Sequence, residues 1–289
     1  MALVAVLGGI VGRWRGVPIA PVSALVFYLF SPALVFHSMA TTELSAGVSA
    51  RIVAVMVLTF VAMYVLSMLW SLLRRHDAPM RTAFALCATT ANAGNMGLPV
   101  ALLAFGQAGL QVAIMNFIAS AVLVNTAGIA IASMAGSASR WEALQAPLRY
   151  PALYAALAGV IVNVVGVTLP VTIDAPVSSL GNAAVPTMLV VLGLQLHGAA
   201  GTDHLVDTAA LNLSRFIAAP VIAWLAATAL GLGGVARDTL VVLAAMPTAV
   251  VVTILATEFN AEPSFVTRVV VSTTVASMLT LTLLIALLR

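Results

Sequence analysis

The chain contains no lysine, a single cysteine and very little charge of either sign. Only 7% of its 289 residues are charged, and its 12 basic side chains are all arginine. A soluble domain carries about 25% charged residues on its water-facing surface. This chain lacks the means to coat such a surface, so lipid is the expected solvent for most of it. The lone Cys87 excludes an intramolecular disulfide and a cysteine-cluster metal site. Its expected role is small packing within a helix. The arginines are scattered, with no basic stripe interleaved with aromatics, which excludes nucleic acid as a partner. The nine acids (Glu43, Asp77, Glu142, Asp174, Asp203, Asp207, Asp238, Glu258 and Glu262) all fall in connections or at helix ends. Proton-coupled carriers place such groups within the bilayer, so antiport through a buried acidic pair is not expected.

What is present is apolar: 62% of the residues are hydrophobic, and the mean hydropathy is +1.14. The apolar runs predict ten helices, with cores at 1–12, 18–40, 52–73, 82–106, 108–134, 150–168, 177–198, 208–232, 236–257 and 264–288. Most are long enough to span a bilayer. The first, from Met1 to Gly12, is short, so either its start lies upstream or it is a stub. Its charges, Arg13 and Arg15, follow the apolar run, whereas a secretory signal carries them before it. If the helices cross alternately, Arg13, Arg15, Arg74, Arg75, Arg81, Arg140, Arg149 and Arg268 share one side, against Arg51, Arg237 and Arg289. The positive-inside bias makes the first set cytoplasmic and both termini external. Arg215, near the start of the eighth helix, is assigned to the cytoplasmic face as well.

Ten helices divide into two sets of five, 1–149 and 150–289, and an odd number of crossings in each inverts one set against the other. The punctuation recurs in step. Pro32 and Pro186 are expected to interrupt helices two and seven, and Pro99 and Pro247 helices four and nine. Paired Gly/Pro interruptions at corresponding places in two halves point to a transporter's binding site.

The stretch Asn92-Ala-Gly-Asn-Met-Gly-Leu-Pro99 sits where the middle of a membrane helix should be. Pro99 lacks an N–H and clashes with the preceding turn. Gly94 and Gly97 permit unwinding and close approach. A discontinuous helix lining a cavity is the physical reading. A half-helix starting near Pro99 would present N–H groups and a positive dipole end to an anion, with Asn92 and Asn95 donating amide hydrogen bonds. Pro247 and Thr248 complete the candidate site from the ninth helix. Unwound carbonyls could instead hold sodium. His37 and His197, near the ends of helices two and seven, are hydrogen-bonded interfacial groups or a proton relay. Asn116, Asn125, Asn163, Asn182 and Gln195 are expected to bond between helices, with Asn182 a second candidate for the path. Gly8 and Gly12 form a small-xxx-small pair suited to helix association.

The stretch Asn92 to Pro99 resembles the signature of the auxin efflux carrier family of permeases. Ser31-Pro32-Ala33-Leu34-Val35-Phe36 and Ala245-Met246-Pro247-Thr248-Ala249 are similar to that family too, in order over nearly the whole chain. The resemblance implies an all-α integral membrane protein of ten transmembrane helices in two inverted five-helix repeats, with broken helices four and nine crossing. It implies a scaffold of helices one, two, six and seven and a moving unit of the rest. The implied function is carriage of small carboxylates such as malonate, malate or auxin-like acids by alternating access, in the bacterial inner membrane. Asn92, Gly94, Asn95, Gly97, Pro99, Pro247 and Thr248 would form the substrate site. No cofactor is expected; sodium is the candidate coupling ion and a homodimer the candidate assembly. Two features depart from the family: a shorter first helix, and only residues 135–149 where some plant members carry a long cytoplasmic loop. The alternative carrier is a sodium-coupled organic-anion symporter of the bile-acid-symporter-like fold. An embedded enzyme lacks support, since neither His-Glu-x-x-His nor Gly-x-Ser-x-Gly occurs. A simple channel is disfavoured by the paired breaks.

Overall fold

A computed structural model describes residues 2–41, 45–132, 151–195 and 204–288. Glu43, Arg140, Glu142, Arg149, His197, Asp203 and Arg289 lie outside the described residues. Every named element is helical. The chain opens with α1 (Ala2–Arg15), then α2 (Ile19–Leu25), a wide π turn (Val26–Phe30) and α3 (Ser31–Ala40). Next come α4 (Ala46–Arg74) and α5 (Ala78–Thr89). A second wide turn (Ala93–Gly97) enters α6 (Leu98–Leu123), and a third (Val124–Gly128) joins it to α7 (Ile129–Ala132). Beyond residue 150 stand α8 (Pro151–Val165), α9 (Val171–Gln195) and α10 (Leu205–Leu213). A fourth wide turn (Ser214–Ala218) leads to α11 (Ala219–Ala229), followed by α12 (Gly234–Ala244), α13 (Val251–Glu258) and α14 (Pro263–Leu288).

Local chemistry sets these boundaries. Ser45 caps α4 by accepting from the Val48 N–H at 3.3 Å, and Asp77 caps α5 from Met80 at 3.0 Å. Between them Arg75, at φ 55°, ends α4 in the left-handed region. Three of the wide turns end two residues before a proline, Pro32, Pro99 or Pro220. A proline removes one helical donor and crowds the carbonyl four residues back, and widening the turn relieves both. Pro32 therefore does not interrupt its helix, which continues through the wide turn from Ile19 to Ala40. Pro186 does not interrupt its helix either, because α9 runs through it unbroken to Gln195.

Gly106 is the sharpest bend in α6, at φ 67° and ψ −158°. That region is open essentially to glycine alone. A Cβ on Gly109 would lie 3.0 Å from the Ala101 carbonyl oxygen, whereas eight residues of straight helix cover about 12 Å. The chain therefore doubles back at Gly106, where the sequence placed the boundary between helices four and five.

Among the described residues, four helical stretches are long and apolar enough to cross a membrane: Ala46–Arg74, Ala93–Ala132, Leu205–Ala229 and Pro263–Leu288. The protein as a whole inverts the soluble pattern. Leu69, Leu73, Leu279 and Leu287 are exposed, while Thr239, Thr248, Thr273 and Ser277 are fully buried. Apolar side chains outside and hydroxyls inside suit a lipid surround, where polar groups act between helices.

The helices sort into two packing groups. α1 lies along α9, and α3 packs on both α8 and α9. Gly8 meets the Val190 carbonyl and Gly12 the Leu194 side chain, so the small-residue pair does mark a contact face. Gly159 admits the α3 backbone, where a Cβ would lie 2.6 Å from the Phe36 oxygen. Asn163 donates to the Ala40 carbonyl at 2.9 Å, tying α8 to α3. The second group joins α4, α5, α6 and α10 to α14. The groups meet where α9 runs beside the wide turn Ala93–Gly97.

Candidate functional site

Two helices stop short and cross. α5 ends at Thr89 and α12 at Ala244. Between the halves, residues 90–92 and 247–249 run extended and antiparallel, with Ala91 opposite Thr248. The Asn92 N–H donates to the Pro247 carbonyl at 2.8 Å, and the Ala249 N–H to the Thr90 carbonyl at 3.0 Å. Unwound backbone inside an apolar protein must be paired, and here each broken helix satisfies the other.

Side chains reinforce the crossing. Thr248, fully buried, donates its hydroxyl to the Cys87 carbonyl at 3.0 Å and its N–H to Thr273 Oγ1 at 3.2 Å. Arg215 comes from the wide turn between α10 and α11. Its Nη1 donates to the Ala88 carbonyl at 2.8 Å, and Nε and Nη2 to the Met246 carbonyl at 3.1 and 2.8 Å. These oxygens belong to the negative ends of the two interrupted helices, where a cation is favoured. Arg215 is 2% exposed, so it lies inside the protein against the crossing and not on an exposed helix end. The sequence signal was available: an arginine within an apolar helix is by default a functional group.

The seven candidate residues occupy different places around the crossing. Asn92 and Pro247 share a hydrogen bond, and Thr248 is the bridge partner of Ala91. Gly97 donates its N–H to the Asn92 carbonyl at 2.9 Å, and a Cβ there would meet Leu243 of α12 at 2.9 Å. Gly94 faces the Phe117 ring. Asn95 is half-buried on the wide turn beside α9. Pro99 is buried in the first turn of α6, seven residues beyond Asn92. The Asn92 side-chain nitrogen is buried with no hydrogen-bond partner. A buried donor left unpaired costs about 1–3 kcal/mol. Of the other amides, Asn182 is exposed and Asn116 buried; the side chains of Asn125 and Gln195 lie outside the described residues.

A small cleft of about 50 Å³ adjoins the crossing, between α4, α6 and α12. Thr89, Thr90, Ala91 and Arg215 line it from the crossing, and Asn116 and Ser120 from α6. None of the seven candidate residues lines this cleft. The Thr90 hydroxyl, 2% exposed, has no hydrogen-bond partner.

Two further polar clusters lie away from the crossing. His37 Nδ1 stands 3.1 Å from Asp174 Oδ1, joining α3 to α9. Asp207, buried at the start of α10, accepts from Trp70 at 3.0 Å and Arg74 at 3.3 Å. His76 Nε2 is 3.2 Å from the same oxygen, and His204 Nδ1 is 3.8 Å from its partner Oδ2. His76 lies in the connection after α4. Burial lowers its pKa below the ordinary 6.5 despite Asp207, which opposes the shift. Among the described residues no group of three or more His, Cys, Asp or Glu side chains is placed to hold a metal ion.

Long apolar helices, buried hydroxyls and a backbone-paired crossing are features of a membrane transporter. A family model described as membrane transport protein matches residues 18–143 and 142–285. The chain belongs to this family, that of the auxin efflux carrier permeases. An "Uncharacterized transporter" of Methanothermobacter thermautotrophicus is 26% identical over 255 residues, covering 87% of this chain and 83% of the relative. "Uncharacterized transporter MJ1031" of Methanocaldococcus jannaschii is 23% identical over 266 residues, covering 90% and 86%.

Proposed function

We propose that this transporter carries small organic anions across the bacterial inner membrane by alternating access. The observation that carries this reading is the crossing of residues 90–92 over 247–249, with the unpaired Asn92 amide beside it. In this reading ten helices form two inverted repeats, 1–149 and 150–289. The group of α1, α2, α3, α8 and α9 is the scaffold, and the other group moves against it. Asn92 and Asn95 contact the substrate near the junction of the groups, where Gly94 and Gly97 keep the wide turn close to its neighbours. Pro99 and Pro247 shape the breaks, and Thr248 holds the crossing shut.

Membrane potential is the favoured driving force. The crossing's carbonyls at Cys87, Ala88, Thr90, Met246 and Pro247 already accept internal hydrogen bonds, and Arg215 puts a positive charge among them. That leaves a sodium ion few ligands there. An anion leaving a negative interior gains about 2.3 kcal/mol per charge per 100 mV.

The test is uptake of labelled malonate, malate and indole-3-acetate into proteoliposomes at imposed potentials, with and without sodium. Saturable uptake that follows the potential and needs no sodium is the expected result. Strict sodium dependence would replace the coupling assignment. Absence of uptake and counterflow for all three acids would remove organic anions as the substrate class.

A further inference from the structure

A second cavity, of about 210 Å³, lies between α4, α5, α10 and the wide turn that follows α10. One wall is α4 from Met63 to Trp70, about 10 Å of helix. Phe84 and Ala88 of α5 form another, and Ala210 and Ala218 bound the third. Leu66, on the α4 wall, is 40% exposed, so the cavity opens sideways among the apolar side chains that face lipid. Its two hydroxyls are satisfied within their own helices: Ser67 donates to the Tyr64 carbonyl at 2.6 Å and Ser214 to the Leu211 carbonyl at 2.9 Å. Little is left there to hold water, and an apolar cavity of about 150 Å³ already takes benzene.

The polar end is equally defined. Trp70 turns its ring N–H away from the cavity to Asp207, and Arg74, one turn further along α4, donates Nε to the same oxygen. Arg74 and Arg75 are both exposed at this end. Arg74 gives Asp207 one of its five N–H groups, and among the described residues Arg75 forms no ion pair. Asp207 is buried beneath them. The arginine bias makes this end cytoplasmic, and the cytoplasmic leaflet is the one rich in anionic headgroups.

We propose that this cavity is a binding site for an anionic phospholipid, with one acyl chain along α4 from Trp70 to Met63 and the phosphate held by Arg74 and Arg75. The chemistry along α4 follows the order of the lipid: charge at residues 74 and 75, an indole at the boundary, where tryptophan is favoured, then an apolar wall. The deep end reaches the back of the crossing. Ala88 lines the cavity, and its carbonyl accepts from Arg215, the chain neighbour of Ser214. The tail therefore supports the clamp from the lipid side, away from Asn92 and Asn95 and independently of which substrate they contact.

The test reads the fluorescence of Trp70 in the full chain, with Trp14, Trp141 and Trp224 replaced by phenylalanine, in phosphatidylcholine bilayers. Phosphatidylglycerol with brominated acyl chains, which quench indole on contact, is titrated in; brominated phosphatidylcholine is the comparison. Phosphatidylglycerol should quench saturably and at a lower mole fraction. Arg75→Asn keeps a residue suited to the left-handed cap. It should raise the half-quenching fraction of phosphatidylglycerol about five-fold at unchanged unfolding temperature. Ala210→Leu, less than one turn beyond Asp207, narrows the cavity beside Trp70 and should abolish the saturable component; Arg75→Asn carries the test if it does not fold. Equal quenching by the two lipids would show only a lipid annulus and overturn the proposal. So would a half-quenching fraction unchanged in Arg75→Asn or in folded Ala210→Leu.

Discussion

Arg215 and Met246 meet through a single oxygen, the Met246 carbonyl, which accepts from both Nε and Nη2 at 3.1 and 2.8 Å. The end of one broken helix is thereby fixed to the wide turn of another rod. Thr248, two residues on, ties the same segment to the other broken helix through Cys87. The crossing is clamped from both sides by donors whose partners lie far away in sequence.

Thr248→Val should weaken that clamp without emptying the site. The substitution keeps the side-chain shape and removes the hydroxyl donor to the Cys87 carbonyl. A net loss of about 1 kcal/mol is expected, more if that carbonyl stays unpaired. A lower unfolding temperature in detergent, with transport retained, checks it. Loss of transport at full stability would instead place the hydroxyl on the substrate.

Asn92→Ala has the opposite signature. Its side-chain nitrogen satisfies nothing inside the protein, and its backbone N–H to Pro247 survives the change. Unfolding temperature should stay level or rise, while uptake falls. Equal uptake by mutant and wild type would strike Asn92 from the substrate site.

Gly106→Ala tests the hairpin in the long apolar stretch. A side chain at φ 67° and ψ −158° is strained by about 1–3 kcal/mol. No atom stands within 4 Å of the added methyl, so crowding is not the cause. Reduced thermal stability, with alanine and valine about equally harmful, would separate backbone strain from packing.

His76 should give the protein an acid-sensitive component of stability. Burial depresses its folded pKa below 6.5, opposed by Asp207 and aided by Arg74 and His204. The unfolded chain therefore takes up the proton first as pH falls. This contribution is present in full above the unfolded value of 6.5 and is lost as pH drops to and below the folded pKa. Unfolding temperatures of wild type and His76→Gln should differ near neutrality and converge as the pH is lowered below 6.5. Parallel curves would show that His76 does not titrate on unfolding.

The breaks were legible in the sequence because glycine, proline and asparagine are conspicuous in apolar surroundings. Their positions were less so. A proline disturbs the turn before it, so Pro99 lies inside the second half-helix and the break falls at residues 90–92. Pro32 and Pro186 look alike as letters, yet one follows a wide turn and the other rides in a continuous helix. Tertiary packing decides which a proline produces. Arg215 was legible as a charge and illegible as a place. Its acceptors are 127 and 31 residues away, and only the fold brings them together. Without them a long arginine near a helix end is expected to reach for the interface. Asp207 was rightly placed at a helix end, but nothing in the sequence named Trp70, Arg74 and His76 as its neighbours.

The joint between the two broken helices also has a peculiar relation to mutation. Its closing contacts run from the amides of residues 92 and 249 to the carbonyls of 247 and 90, and none of these atoms belongs to a side chain. Ala91, at its centre, carries only a methyl group. A substitution scan would find these four backbone groups silent, visible only where proline replaces Asn92 or Ala249 and takes away an N–H. The letters around it are free to drift while the geometry persists, because it is written in atoms that every residue except proline carries.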